Sequence, residues 1–246
     1  DIPFAVGYLL SLDYLVQCLH HLPRLPRHLL WKTGLAIGLT LGIRAGGLVL
    51  LVYLILFFGL YGLKKGDALH LAKKAGIIAL IAYSVMLIAW PFAQVHPITG
   101  PLKALQQFAH FPESHLNFFE GRYVESTEIP WYYAPGWLLL TLPDPLLLGL
   151  LLAFLLPLLK RPFFLSRSPS SLILFATLFP LFYAILSRTP LYNGPRHILF
   201  IIPPLAVLGA LGIHLALNRF VRPLPLTICT GLLLALTLWE AVRLHP

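Results

Sequence analysis

Seven long apolar stretches constrain this chain more than any other feature of its sequence. Most are close to the roughly 20 residues that a helix needs to cross about 30 Å of hydrocarbon. They are continuous rather than alternating, which favours membrane-spanning helices over the strands of a membrane barrel. We therefore expect an all-α, polytopic transmembrane helix bundle. The stretches cover residues 2–19, 33–63, 75–94, 143–159, 170–186, 198–216 and 224–242.

The composition excludes a water-soluble fold. Hydrophobic residues make up 58% of the chain and charged residues 11%, and the mean hydropathy is +0.82. Such a chain has too little polar surface to cover itself in water. The formal net charge of +9 does not indicate nucleic acid, because the basic residues punctuate the apolar stretches, where they set topology. The expected partner is the lipid bilayer.

The stretch 33–63 is too long for one crossing. At about 1.5 Å per residue it would make roughly 46 Å of helix, so it either protrudes or forms a hairpin of two short helices. Lys and Arg are enriched in cytoplasmic loops. A hairpin that turns near Arg44 to Gly47 places twelve of the 18 basic residues on one side, whereas a single crossing leaves nine against eight. We therefore predict about eight spans, with both ends of the chain outside.

One pattern argues against a sharp break in this stretch. Four glycines recur at four-residue spacing and form a ridge of small residues suited to close helix contact. The ridge extends past Arg44, so the position of the turn is open by about two to four residues. The glycines are Gly34, Gly38, Gly42 and Gly46.

Three regions follow from this topology. Residues 1–94 form a first group of spanning helices that includes the hairpin, residues 95–142 form an extracytoplasmic or interfacial loop, and residues 143–246 form a second group. The loop is too short for a self-supporting core, so it is expected to hold short amphipathic helices on the membrane surface. Its histidines and glutamates lack tight metal-ligand spacing and are interpreted as solvated.

A second polar segment on the outer side, residues 187–197, is dense in groups that bind anions. Arginine offers a planar fork of donors matched to phosphate oxygens, and Tyr, Asn and His add neutral donors. One interpretation is an anion clamp, and the other is an ordinary loop whose polar residues are merely solvated. The candidate residues are Arg188, Tyr192, Asn193, Arg196 and His197.

Two further charged residues each leave two interpretations. Asp1 opens the first apolar stretch, where its carboxylate either caps the helix or holds a divalent cation that bridges to phosphate. Arg44 lies within apolar sequence and either faces a polar cavity or reaches the outer interface along its own stem. The sequence contains no Gly-rich phosphate loop, nucleophile elbow or paired-cysteine metal motif.

Several segments together resemble a known family. They are Asp1-Ile-Pro-Phe-Ala5, Pro130-Trp-Tyr-Tyr133 and Tyr192-Asn-Gly-Pro-Arg-His-Ile-Leu-Phe200, with the Gly-rich segment from Gly38 to Gly47 as a fourth. In order and spacing they are similar to the bacterial membrane glycosyltransferases of the GT-C type. These are related to the dolichyl-phosphate-mannose protein mannosyltransferases (glycosyltransferase family 39) and to the lipid A aminoarabinose transferases. The resemblance covers most of the chain.

The resemblance implies an inverting transfer of a sugar from a polyprenyl-phosphate carrier to a protein or lipid acceptor, on the extracytoplasmic face of the bacterial inner membrane. It associates Asp1 with a divalent cation or the donor phosphate, and Arg196 and His197 with the carrier phosphate. The catalytic base of the family is an acidic residue in a first outer loop that is absent here. Because the chain begins at Asp1 without an initiator Met, we expect an N-terminally truncated fragment that is inactive alone. Weaker assignments to the donor phosphate are Arg188, Tyr192, Asn193 and Arg44.

Two other functions remain open from the sequence. A transporter or flippase for a lipid-linked or anionic solute is favoured by the predicted break near Arg44, since transporters build their sites from broken helices. A structural membrane subunit would instead tolerate substitution in its outer loops.

Overall fold

The computed structural model describes residues 1–101, 103, 114–158 and 168–220, together with seven positions between 231 and 243. The first group of helices comprises α1 (Ile2–His21), α2 (Arg27–Ile43), α3 (Leu48–Lys65), α4 (Ala68–Ala89) and the short α5 (Pro91–Val95). The second comprises α6 (Tyr133–Thr141), α7 (Asp144–Leu158), α8 (Ser168–Leu186) and α9 (Ile202–Phe220). Single 3₁₀ helices precede α3 at Ala45–Gly47 and α9 at Gly194–Ile201.

Five helical segments in the described part of the chain are long and apolar enough to cross a membrane. The protein is therefore an integral membrane protein, as the sequence predicts. Helix α2 has only 17 residues and the apolar part of α7 is shorter still, so the number of about eight spans stays a prediction. The stretch predicted at 224–242 lies outside the described residues except for isolated positions. The five segments are Ile2–His21, Ala45–Lys65, Ala68–Ala89, Pro169–Leu186 and Gly194–Leu217.

The long stretch 33–63 is broken at Arg44. Helix α2 ends at Ile43, and Arg44 has an extended backbone, with φ −155° and ψ 134°. Along α2, Gly34 packs on Ile81 and Gly42 on Ala89, so α2 runs parallel to α4. Helix α3 joins α4 through a tight turn and runs antiparallel to it, and therefore antiparallel to α2. The chain thus reverses direction where the sequence placed the hairpin.

The glycine ridge brings α2 and α4 into close contact. A Cβ at Gly34 would lie 2.6 Å from the Ile81 side chain, and one at Gly42 would lie 2.7 Å from the Ala89 Cβ. Gly46 does not belong to this contact, because it follows the break and faces Phe4 at 3.7 Å. The ridge therefore has three members rather than four, and its apparent continuation past Arg44 is a coincidence of spacing.

Buried polar groups join the helices inside the bundle. The Tyr8 hydroxyl of α1 donates to the Ala176 carbonyl oxygen of α8 at 2.7 Å and accepts from the Tyr53 hydroxyl of α3 at 3.1 Å. Both tyrosines are fully buried. In an apolar interior such bonds satisfy groups that otherwise have no partner, and they join α1, α3 and α8.

The outer loop differs from the expectation of amphipathic helices alone. It contains an antiparallel hairpin of β1 (Leu116–Phe119) and β2 (Arg122–Glu125), with Phe118 opposite Tyr123. The two connecting residues, Glu120 and Gly121, both have positive φ, of 51° and 79°, as a two-residue turn between strands requires. The prediction was wrong here because the aromatic residues on both sides of the turn, Phe118, Phe119 and Tyr123, favour strands over a surface helix.

Candidate functional site

Three charged side chains from distant parts of the chain meet at one end of the bundle. The Asp1 carboxylate, at the start of α1, accepts from Arg44 Nη1 at 2.7 Å and from Arg196 Nε at 2.5 Å. Arg44 occupies the break after α2, and Arg196 lies in the 3₁₀ helix before α9. Asp1 makes no side-chain capping bond to α1. Of the two interpretations of Asp1, capping is therefore excluded in this structure.

His197 joins this cluster through its ring. Its Nδ1 lies 3.4 Å from Arg44 Nη2. Because a guanidinium only donates, Nδ1 acts as the acceptor and the proton of a neutral imidazole lies on Nε2. That Nε2 is buried and has no hydrogen-bond partner among the described residues. A buried donor without a partner is costly, so an acceptor atom that reaches this N–H through a local rearrangement gains a hydrogen bond.

An aromatic contact extends the cluster to the outer loop. The Tyr192 ring packs edge-on against the His197 ring, with centroids 4.3 Å apart, and against the His115 ring at the same distance. The structure thus brings together five of the residues selected from the sequence, counting Arg44 and Asp1. His115 joins them, although the sequence predicts a solvated loop residue at this position.

Arg196 is the member of the cluster most open to a ligand. Its side chain is 59% exposed, and only its Nε is used by Asp1, so its terminal amino groups have no partner in the part of the chain described. Burial lowers the pKa of Arg44, Tyr192 raises it and Arg196 lowers it further. Two guanidinium groups face one carboxylate, and the excess of positive charge favours an anion.

A groove of about 590 Å³ opens beside Arg196. Asp1 and Arg196 contribute its charged side chains, while Ile2 and Leu199 contribute apolar lining. Ile2 and Val6 are 71% and 62% exposed, so the apolar surface continues along one face of α1. The complete lining is Asp1, Ile2, Pro3, Asn193, Pro195, Arg196 and Leu199.

Two residues that the sequence analysis did not assign hold the loop in place. The buried Asn117 of β1 accepts from the Asn193 backbone N–H at 3.1 Å and donates to the Leu191 carbonyl oxygen at 3.1 Å. The buried Tyr133 hydroxyl accepts from the Gly194 backbone N–H at 3.2 Å and donates to Asn117 Oδ1 at 3.3 Å. Tyr133 belongs to the segment Pro130-Trp-Tyr-Tyr133 that contributes to the family resemblance. Asn117 belongs to no motif, so the sequence did not predict a role for it.

Asn193 and Arg188 have roles other than those predicted. Asn193 has a left-handed backbone, with φ 57°, and it turns the chain into the 3₁₀ helix that carries Arg196. Arg188 does not join the charged cluster, because it lines a different cavity with Glu128 and Trp131. Only the three residues Tyr192, Arg196 and His197 of this loop therefore belong to the cluster through their side chains.

A divalent cation at Asp1 does not fit the arrangement of the described residues. Both carboxylate oxygens already accept from arginine, and the nearby His197 turns its Nδ1 to Arg44. No group of three or more His, Cys, Asp or Glu residues within the described ranges is placed to hold a metal. Asp1 acts in this structure as the anion that orients two arginines.

Comparison with known proteins adds no relative. No family model, no curated protein and no solved structure matches this chain.

Proposed function

We propose that this protein is the donor-binding membrane portion of a glycosyltransferase that uses a polyprenyl-phosphate-linked sugar. It acts at the extracytoplasmic face of the bacterial inner membrane and transfers the sugar to a protein or lipid acceptor. The observation that carries this function is a cluster of charged and polar side chains at the end of an apolar bundle, beside a groove lined by both charged and apolar side chains. The cluster consists of Asp1, Arg44, Arg196 and His197.

The cluster fits the charge that such a reaction develops. When the bond between the sugar C1 and the phosphate oxygen breaks, its electron pair stays on the phosphate. The free amino groups of Arg196 and the Nε2–H of His197 are donors that stabilise this charge in surroundings of low dielectric. The acceptor oxygen forms the new bond to C1, and its proton passes to the acidic base that the family resemblance implies.

The apolar part of the groove fits the prenyl chain. Burial of each methylene contributes about 0.8 kcal/mol, so an apolar track along α1 adds affinity and holds the phosphate against Arg196. Exposed Ile2 and Val6 give this track its surface. The protein thereby binds the charged phosphate and the apolar prenyl chain of the donor next to each other.

Substitution of the phosphate-binding side chains tests this function. In the full-length protein in lipid nanodiscs, Arg196→Ala and His197→Ala are expected to lower sugar transfer from a polyprenyl-phosphate donor by at least about 100-fold, the usual effect of removing one donor to a developing anion. Arg122→Ala, an exposed arginine on β2, is the matched control and keeps its activity. Normal turnover in the Arg196 and His197 variants contradicts the assignment.

The role of Asp1 is tested separately from that of a metal. Asp1→Asn removes the charge that orients two arginines, so transfer falls while a chelator has no effect on the wild-type protein. If chelation abolishes transfer, and if Asp1→Asn needs more Mg²⁺ or Mn²⁺ than the wild type to restore it, Asp1 instead holds a cation in the working enzyme.

A transporter or flippase is the second candidate, and one observation favours it. Arg44 is a charged residue within apolar sequence, and charged residues at membrane depth often mark the pathway of a solute. In proteoliposomes a flippase moves the lipid-linked sugar between leaflets without breaking the sugar–phosphate bond. Movement without transfer in the full-length protein favours this function over the glycosyltransferase.

A further inference from the structure

A second cavity is lined in part by the loop 187–197, which also carries Arg196 and His197. It encloses about 320 Å³, within the range of small-molecule sites, and it lies between residues 127–134 and the end of α8. Leu191 lines this cavity, while Asn193 lines the groove of the charged cluster. One short loop therefore forms a wall of two separate cavities.

The two cavities differ in charge. At the groove, two arginines share a single carboxylate, because Arg196 and Arg44 both bond to Asp1. The second cavity has one exposed cation, Arg188, and one exposed anion, Glu128. Neither Arg188 nor Glu128 has a side-chain hydrogen bond or ion pair among the described residues, and they are not paired with each other. The lining thus offers a free donor and a free acceptor with no net charge, which suits an uncharged polar ligand.

The remaining lining suits a hydroxylated ring. Thr127 and Thr189 add hydroxyl groups, and Trp131, whose side chain is 70% exposed, gives a flat apolar surface at the rim. A sugar has hydroxyls that both donate and accept around a ring with apolar faces. Guanidinium, carboxylate, hydroxyl and indole groups in one cavity match these requirements.

Arg188 has a backbone conformation that is unfavourable for any residue with a side chain. The turn that ends α8 has Arg188 N–H donating to the Ile185 carbonyl oxygen at 3.3 Å and Thr189 N–H donating to the Ala184 carbonyl oxygen at 3.0 Å. Arg188 has φ 48° in this turn, at the position where helices usually place glycine. An arginine here gives up backbone stability and places a guanidinium at the cavity.

We propose that this second cavity binds an uncharged sugar ring of the acceptor, with Glu128 and Arg188 bonding to its hydroxyls and Trp131 covering one ring face. The assignment to the acceptor rests on the proposed function, whereas the binding of a sugar ring does not. The loop 187–197 then contributes residues to both the donor groove and the acceptor cavity.

Binding is measured by tryptophan fluorescence with methyl glycosides as probes, using the protein in nanodiscs free of glycoside detergent. A methyl glycoside is expected to change the fluorescence saturably, and the change is lost in Trp131→Phe. Glu128→Gln and Arg188→Gly are expected to weaken binding at least tenfold. Arg188→Gly removes the guanidinium while relieving the positive φ, so its melting temperature equals or exceeds that of the wild type and misfolding does not explain the loss.

The outcomes separate this inference from the proposed function. Arg196→Ala is expected to abolish donor-dependent transfer and leave glycoside binding unchanged. If transfer is never observed but glycosides bind as described, the sugar site stands and the transferase does not. If no methyl glycoside binds, or if binding is insensitive to Glu128→Gln and Arg188→Gly, the cavity is not a sugar site and Trp131 is an interfacial anchor only.

Discussion

Gly38 lies where α2 and α4 approach closely, and its replacement by alanine tests what holds these helices together. An added Cβ would lie 2.6 Å from the Ala82 carbonyl oxygen and 2.6 Å from the Val85 Cβ. Favourable contact between carbon atoms begins at about 3.5 Å. The helices must therefore separate locally by about 1 Å, because a backbone oxygen cannot rotate out of the way.

The cost follows from the loss of packing along the contact. Inside a membrane, helix association rests on van der Waals packing rather than on the hydrophobic effect. A gap of 0.5–1 Å forfeits about a quarter to a half of each attractive contact, and overpacking typically costs about 1–3 kcal/mol. Two contacts at 2.6 Å place Gly38→Ala in the upper part of that range, about 2–3 kcal/mol. Alanine returns up to about 1 kcal/mol of helix propensity. The net destabilisation is therefore about 1–2 kcal/mol, or a melting temperature lower by about 2–8 °C for a chain of this size.

The assay is thermal unfolding of the protein in lipid nanodiscs, with Gly76→Ala as the control. Gly76 lies on α4, and no atom lies within 4 Å of a Cβ added there. This control gains helix propensity without a clash, so its melting temperature is equal to or above that of the wild type. Equal stability of Gly38→Ala and Gly76→Ala refutes close packing of the glycine ridge as the origin of the α2–α4 contact.

Two further predictions concern the loop 187–197 and the topology. Tyr133→Phe removes the hydroxyl that accepts from the Gly194 N–H and is expected to lower sugar transfer about tenfold. The control is Tyr123→Phe, which changes an exposed tyrosine on β2 and is expected to retain activity. Equal activity of the two variants contradicts a positioning role for Tyr133. In a background without native cysteines, Ser168→Cys and Ser187→Cys lie near opposite ends of α8, and a membrane-impermeant thiol reagent is expected to label them from opposite sides. Labelling of both from one side overturns the topology.

The hairpin at Arg44 shows what the linear sequence was able to predict. The stretch was too long for one crossing, and the distribution of basic residues favoured two short helices over one. The structure has the break at Arg44 itself. The length of a segment and the charge of its flanks do not depend on tertiary structure, so a hairpin can be predicted from them alone.

The close contact between α7 and α9 shows what was not predictable. Gly149 on α7 packs against the backbone of Gly209 and Gly212 on α9. These glycines belong to different apolar stretches, and no spacing within either stretch indicates the partner. The same holds for Asn117, whose bonds to Leu191 and Asn193 join residues 74 and 76 positions away.

Arg188 and Arg196 show that the sequence does not predict where side chains lie even within a single loop. Both belonged to the predicted anion clamp, yet the positive φ of Asn193 turns the chain between them. Arg188 therefore lines one cavity and Arg196 another. Backbone turns of a few residues decide such placements, and Gly or Asn marks where a turn is easy but not which way the neighbouring side chains face.

The sequence by itself determined that this is a membrane protein of helical spans, because transfer of an apolar segment into hydrocarbon depends on its own length and composition. It also identified the charged residues whose presence near a membrane needs explanation. Only the tertiary structure decided that Asp1 meets Arg44 and Arg196, 43 and 195 residues away, and that His197 leaves a buried N–H without a partner in the described part of the chain. Those contacts depend on how the helices pack and where the outer loop is fastened, and both are set by interactions between segments that are remote in the chain.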